Sequence, residues 1–169
     1  MASFKISDEL IGRIETLIEE KNNHELTQLL GDLHYADIAE IIHELAIKDG
    51  VYIIRLIDAE KTSDVLTELD DDYRDKILEN LSAKEIADEL IELDTDDAVD
   101  IISELSEERK TEVISYIEDV EHAKDIVELL RYDDNTAGGL MAKELVKVNE
   151  NWNVLKCVKE MREQAAYVT

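Results

Sequence analysis

An apolar signature recurs every twelve residues along most of the chain. Each unit carries apolar side chains at positions i, i+1 and i+4, which share one stripe of an α-helix, and the residues between them are mostly polar or charged. The signature therefore predicts a series of short amphipathic helices. Its regular members are Leu29/Leu30/Leu33, Ile41/Ile42/Leu45, Ile53/Ile54/Ile57, Val65/Leu66/Leu69, Ile77/Leu78/Leu81, Ile101/Ile102/Leu105 and Val113/Ile114/Ile117, and its one weak member is Glu89/Leu90/Leu93.

Helices of two or three turns are marginal alone because nucleation is costly, so the units must stack and bury their stripes against each other. We therefore predict an all-α fold, a superhelical array of short amphipathic helices of about 12 residues each. Ser7 is placed to cap a first helix before the repeat, and the chain contains no proline. Two successive units can also be regarded as one helix pair, which gives a repeat of twenty-four residues. Turn and cap residues predict joints at Gly31/Asp32, Asp49/Gly50, Thr62/Ser63, Asp70 to Asp72, Ser82, Asp94/Thr95 and Ser106.

The repeat stops after Tyr132, and two adjacent glycines, Gly138 and Gly139, indicate a hinge. Alternating residues from Glu144 to Val148 predict a short strand, and the spacing from Val154 to Met161 predicts a helix. A further strand is expected at Tyr167 and Val168. We predict a helical domain over residues 1–135, followed by a linker and the truncated start of a second domain over residues 136–169.

The charge balance limits the possible partners. The sequence has 43 acidic residues against 18 Lys and Arg, for a formal charge of -25, which argues against a nucleic-acid or anionic-membrane surface. Cations or a basic protein face are the expected partners. The single cysteine, Cys157, permits no intrachain disulfide, and no stretch has the apolar length of a signal peptide or a membrane helix. The chain as given is expected to be soluble and cytoplasmic.

Acidic residues are concentrated between Glu85 and Glu108, where eleven carboxylates occur with no Lys or Arg. On the helix predicted after Asp94, the residues Asp96, Asp100 and Glu104 form an outward stripe. Acidic side chains in the first turn of a helix interact favourably with the helix dipole, and this interaction is sufficient to explain the presence of Asp94, Asp96 and Asp97. The dipole does not favour Asp100 or Glu104, and oxygen ligands in such a row suit a hard divalent cation such as Mg²⁺.

Both explanations remain open from the residues alone, and Asp64 on an earlier unit is a further candidate ligand. Motifs for other chemistry fail. His43 and Glu44 lack the second histidine of a zinc protease, and Gly138 and Gly139 lack the lysine of a phosphate-binding loop. No nucleophile, base or catalytic dyad is found, so we predict that the chain is not an enzyme.

The stretch YDDNTAGGLM, from Tyr132 to Met141, resembles the MgtE-type magnesium transporter family where its cytosolic N-terminal domain enters the first CBS domain. The stretch HYADIAE, from His34 to Glu40, resembles the opening of that N-terminal domain, and the similarity continues through the repeats. Tyr35 stands where the family usually has proline, and Ala142 where it usually has threonine.

The resemblance implies a cytosolic Mg²⁺-sensing domain of a transporter that is a homodimer in the cell membrane. The domain by itself is expected to be a monomer. In that family, Mg²⁺ bridges acidic faces of the N-terminal and CBS domains and favours a closed pore. By motif, the ligand acids fall on Asp96 and Asp100, with Asp97 as a neighbour and Asp64 as a further acid. The implied partners are the CBS and transmembrane domains. The alternative is a helical-repeat interaction scaffold resembling a flagellar motor switch protein, which needs no metal.

Overall fold

The computed structural model describes residues 6–133, 135–143 and 145–165, with the backbone alone for Glu60. These ranges contain eleven α-helices and no strand, and none of the helices combines the length and apolar content that crossing a bilayer requires. The predicted all-helical fold is confirmed. The helices are α1 (Asp8–Glu19), α2 (Asn23–Gly31), α3 (Tyr35–Glu44), α4 (Ile47–Ile54), α5 (Ala59–Glu68), α6 (Asp71–Glu79), α7 (Ala83–Leu90), α8 (Thr95–Ser103), α9 (Glu107–Tyr116), α10 (Val120–Leu129) and α11 (Val154–Gln164).

From α3 onward, helices pack mainly against the second helix along the chain. The odd-numbered helices form one row, in which α3 packs on α5, α5 on α7 and α7 on α9. In the even-numbered row, α4 packs on α6 and α8 on α10. Because two successive units span twenty-four residues, this packing corresponds to the predicted helix pairs.

The apolar stripe of the repeat forms the core between these rows. In the unit Ile77/Leu78/Leu81 no residue is more than 3% exposed, and the other regular units contribute at least one buried residue each. The spacing i, i+1 and i+4 therefore identified the buried face of each helix correctly.

Hydrogen-bonding N-caps begin most of the helices. Ser7, Asn22, Asp58, Ser82, Ser106 and Asp119 each accept a hydrogen bond from a backbone N–H in the first turn of the following helix. Ser82 and Glu85 form a reciprocal capping box at the start of α7.

Two predicted joints are wrong, because Asp49/Gly50 lie inside α4 and Thr62/Ser63 lie inside α5. A Cβ added to Gly50 would meet Ile77 Cδ1 at 3.1 Å and Ile42 Cγ2 at 3.2 Å, so the glycine permits close helix packing. Ser63 Oγ lies 2.9 Å from the carbonyl oxygen of Ala59 and 2.6 Å from that of Glu89, and its single proton is shared between them. These small or polar residues therefore serve contacts between helices.

Cationic side chains join helices that are distant in sequence. Lys61 Nζ donates to the carbonyl oxygens of Leu30, Gly31 and Leu33 at 2.9 to 3.3 Å, and Arg109 Nη2 donates to that of Leu81. The last carbonyls of a helix have no partner within it and carry the negative end of its dipole. Lys61 therefore satisfies the end of α2 through Leu30 and Gly31, whereas Leu33 and Leu81 lie in the turns after α2 and α6; each contact ties two repeats together.

The C-terminal part differs from its prediction. The helix predicted from Val154 forms as α11, but residues 145–149 form no strand, and Glu144, Tyr167 and Val168 lie outside the described residues. The backbone N–H and C=O of Lys147 pair instead with the side-chain amide of Gln164, at 2.7 and 2.8 Å. A strand needs a neighbouring strand to pair with its backbone groups. Here the side-chain amide of Gln164 pairs with the backbone of Lys147 instead.

Glycine substitutions test the packing of the first helices. Gly12 lies inside α1 with no atom within 4 Å of an added Cβ, so Gly12→Ala is expected to raise the free energy of unfolding by about 0.4 to 1 kcal/mol. Gly50→Val should instead lower it by about 1 to 3 kcal/mol, because the site is already filled. Urea denaturation measures both, and destabilisation by Gly12→Ala would contradict the packing described for α1.

Candidate metal-binding face

Helix α8 carries most of the predicted metal ligands, and its apolar side attaches it to the array. Ile101 and Ile102 are buried as predicted, together with Thr95, Ala98 and Val99, and Leu105 of the same unit is half-buried. Asp94 occupies the N-cap position, with extended backbone angles of φ -60° and ψ 152°. The acidic side of α8 is therefore held in a defined direction by the core.

The four predicted ligands lie on two helices. Asp97 and Asp100 are exposed on α8, and Asp96 is half-buried beside them. Asp64 is half-buried on α5, in a different repeat.

The pKa of Asp97 reports the electrostatic environment of this face. Although Asp97 is largely exposed, partial desolvation of its carboxyl group raises this pKa above the ordinary aspartate value, and the negative charges of Asp96, Asp94, Asp100 and Asp64 raise it further, in that order. Each of these effects disfavours the charged carboxylate. Asp64 of α5 is thus close enough to α8 for its charge to act on Asp97. We call Asp64, Asp96, Asp97 and Asp100 the acidic face.

Glu104 does not belong to the outward stripe, and that expectation is corrected here. Arg74 Nε donates to Glu104 Oε2 at 3.0 Å, and Arg74 Nη2 pairs with Glu104 Oε1. The side chain of Glu104 is only 20% exposed. No local pattern could have revealed this pair, because its members are thirty residues apart.

The acidic face does not close around an ion by itself. Among the described residues, no group of three or more His, Cys, Asp or Glu side chains is positioned to hold a metal ion. Carboxylate oxygens are nevertheless the donors that Mg²⁺ uses, and Mg²⁺ commonly keeps several waters while binding only one or two carboxylates. The residues therefore fit the protein's share of a hydrated or bridging site.

The segment after the repeat contacts the start of α8. The backbone N–H of Lys143 donates to Thr95 Oγ1 at 3.1 Å, and Lys143 Nζ pairs with Glu128 of α10 at 3.0 Å. A Cβ on Gly138 would overlap the ring of Tyr132, so this glycine permits a close approach. The sequence predicted only a hinge at Gly138 and gave no indication that Lys143 contacts Thr95.

Comparison with protein families identifies the family to which this helical array belongs. A model of the MgtE intracellular N domain matches residues 33–135, which is more than half of the chain. The chain belongs to this family. The match favours the transporter resemblance over the flagellar motor switch alternative.

Two solved structures extend the similarity of this MgtE N domain. The soluble part of a magnesium transporter has 25% sequence identity and a TM-score of 0.76, over 95% of this chain and 63% of that one. The cytosolic domain of the Mg²⁺ channel MgtE in complex with ATP has 23% identity and a TM-score of 0.81, over 92% of this chain and 64% of that one, and it supports the fold. The chain thus spans less than two thirds of either structure. Comparison with curated proteins found no match.

Proposed function

We propose that this chain is a regulatory Mg²⁺-sensing domain of a magnesium transporter. In this proposal Mg²⁺ joins the acidic face to the CBS domain, and the joined state favours a closed pore. The proposal is supported by the carboxylates Asp96, Asp97 and Asp100 on α8, with Asp64 of α5 near enough for its charge to contribute to the raised pKa of Asp97. Family membership supports the intracellular setting.

The proposed ligands are Asp96 and Asp100, which are four residues apart and therefore neighbours on one side of α8. Asp97 and Asp64 add negative charge beside them. Like charges so close repel each other, and a divalent cation relieves that repulsion. When Mg²⁺ is scarce, the same repulsion would separate this face from an acidic partner.

The remaining ligands belong, in this proposal, to the CBS domain beyond Thr169. The membrane pore and the homodimer contacts belong to the rest of the transporter. A regulatory role without catalysis agrees with similarity to the soluble part of a magnesium transporter. The ion acts here as the sensed ligand, and the role of this chain is to hold the carboxylates in place.

The test uses the protein extended past Thr169 to the length of its solved relatives. Mg²⁺ at ten times its dissociation constant is expected to raise the free energy of unfolding by about 1.4 kcal/mol. It should also make the protein more compact in small-angle X-ray scattering. NaCl at equal ionic strength is the control, because screening alone acts through ionic strength. An equal response to NaCl would contradict the proposal.

A further inference from the structure

Glu89 interrupts the apolar repeat at a position that otherwise faces the core. The equivalent positions, at twelve-residue intervals, carry Leu, Ile or Val, and six of these seven side chains are at most 1% exposed. They are Leu29, Ile41, Ile53, Val65, Ile77, Ile101 and Val113, of which Leu29 is half-buried. Because α7 keeps the spacing of the repeat, the side chain of Glu89 starts from the core side of the helix, where it is half-buried.

The carboxyl group of Glu89 lacks a hydrogen-bond partner on one side. Its Oε2 atom is buried and has no hydrogen-bond partner among the described residues. The backbone of Glu89 is held in place, since its carbonyl oxygen accepts the 2.6 Å hydrogen bond from Ser63 of α5. A buried charged oxygen without a partner is unfavourable, whereas the neutral acid is tolerated far better.

The cleft beside Glu89 offers it no free cation. This cleft of about 230 Å³ is lined on its apolar side by Ile54, Ile57 and Leu81. Its one basic residue, Arg55, is already bound to Glu85 at 2.7 Å and to the carbonyl oxygen of Asn80 at 2.9 Å. On α9, Arg109 is bound to Glu112 and to the carbonyl oxygen of Leu81.

The charged groups that shift the pKa of Glu89 most are acidic. Burial raises its pKa most, followed by the charges of Asp88, Glu92, Asp58 and Glu85, and together they bring it to about 7. Asp58 acts from the start of α5, and the other three belong to α7 and the turn after it. Neighbours on both packed helices therefore favour the protonated form of Glu89.

We propose that Glu89 is a proton-controlled switch in the packing of α7 against α5, neutral when the two helices are tightly packed and loosening their contact when it ionises. The proposal needs no Mg²⁺ and is independent of the proposed function. Since α8 follows α7 directly and Asp64 follows Ser63, ionisation of Glu89 shifts the spacing between the two helices of the acidic face.

The sign of the pH effect follows from the two states. An unfolded glutamate has a pKa of about 4.3, and folding raises that of Glu89 to about 7. Stabilisation by this group is complete below the unfolded value and falls as the pH rises toward the folded value. Within that window the unfolding equilibrium constant rises about tenfold per pH unit from this group alone. Above it both states are ionised and no further change occurs.

Carboxyl ¹³C NMR on the isotopically labelled chain, titrated from pH 4 to 9, measures the ionisation of Glu89 directly. We expect a midpoint near 7. Glu85 on the same helix is the internal reference, because its hydrogen bonds from Arg55 and Ser82 hold its pKa at about 2. Its signal should not change over this range. A midpoint for Glu89 below 5 would overturn the proposal.

Melting curves of Glu89→Gln and Glu89→Leu test the consequence for packing. The melting temperature of the unaltered chain should fall from pH 5 to 7, and both variants should lose that part of the fall. Glu89→Leu also restores the apolar repeat, so folding of this variant is secured. Glu15→Gln, at an exposed position on α1, is the matched control and should keep the full pH dependence. Equal pH dependence in all four proteins would refute the switch.

Discussion

Arg74→Ala is expected to lower the free energy of unfolding by roughly 3 to 5 kcal/mol, the range for removing one partner of a buried ion pair. The Arg74 side chain is only 9% exposed, and from α6 it contacts the ends of two other helices. Its Nη1 donates to the carbonyl oxygens of Leu66 and Leu69 at 3.2 Å each, at the end of α5. Its Nε and Nη2 bind Glu104 at the end of α8.

The loss should therefore have two sources. Glu104 would remain as a mostly buried carboxylate without its cation, and the carbonyls at the end of α5 would lose a donor. Arg74→Lys should recover only part of the stability, because an ammonium group cannot reproduce the planar fork of the guanidinium. Replacing Arg74 by Met and Glu104 by Leu in the same protein should lower the free energy of unfolding by less than the two single replacements added together.

Urea denaturation measures these differences, and Arg13→Ala is the matched control. Arg13 pairs with Glu25 on the surface, where the two side chains are 56% and 44% exposed. Such exposed pairs contribute about 0 to 1 kcal/mol. If Arg74→Ala cost no more than Arg13→Ala, the joining role given to Arg74 would be wrong.

Asp96→Asn combined with Asp100→Asn is expected to raise the Mg²⁺ concentration of half-maximal compaction at least about tenfold, a difference of 1.4 kcal/mol in binding. Asparagine keeps the shape of both side chains and removes the two negative charges proposed to hold the ion. Without Mg²⁺ the stability should change little, since relief of one like-charge pair, about 0.2 to 0.5 kcal/mol, is offset by loss of the favourable interaction of Asp96 with the helix dipole, about 0.3 to 1 kcal/mol.

Small-angle scattering of the protein extended past Thr169, titrated with Mg²⁺, measures the response. Glu15→Gln combined with Glu19→Gln is the matched control, since these exposed acids are also four residues apart on one helix, α1. That control removes the same net charge and should leave the Mg²⁺ midpoint unchanged. If both double variants shift the midpoint equally, general charge rather than the acidic face binds the ion.

The candidate site could be predicted only in part. The carboxylate-rich stretch directed attention to α8, and the family resemblance selected Asp96 and Asp100. Whether these residues bind Mg²⁺ stays a prediction. Glu104 was misassigned because its partner Arg74 comes from another repeat, and the significance of Glu89 was hidden in what looked like a weak repeat unit.

Local sequence by itself determined where most of the helices form and which side of each helix is apolar. Both depend on spacing within a few residues, as the burial of Ile77 and Leu78 and the N-cap of Ser82 illustrate. The tertiary structure alone decided which helices pack together, and hence that Gly50 and Ser63 lie inside helices rather than at joints. It also decided that Arg74 reaches Glu104 and that Glu89 is half-buried beside other acids. Those outcomes depend on contacts between residues some 25 to 30 positions apart, for which local spacing carries no signal.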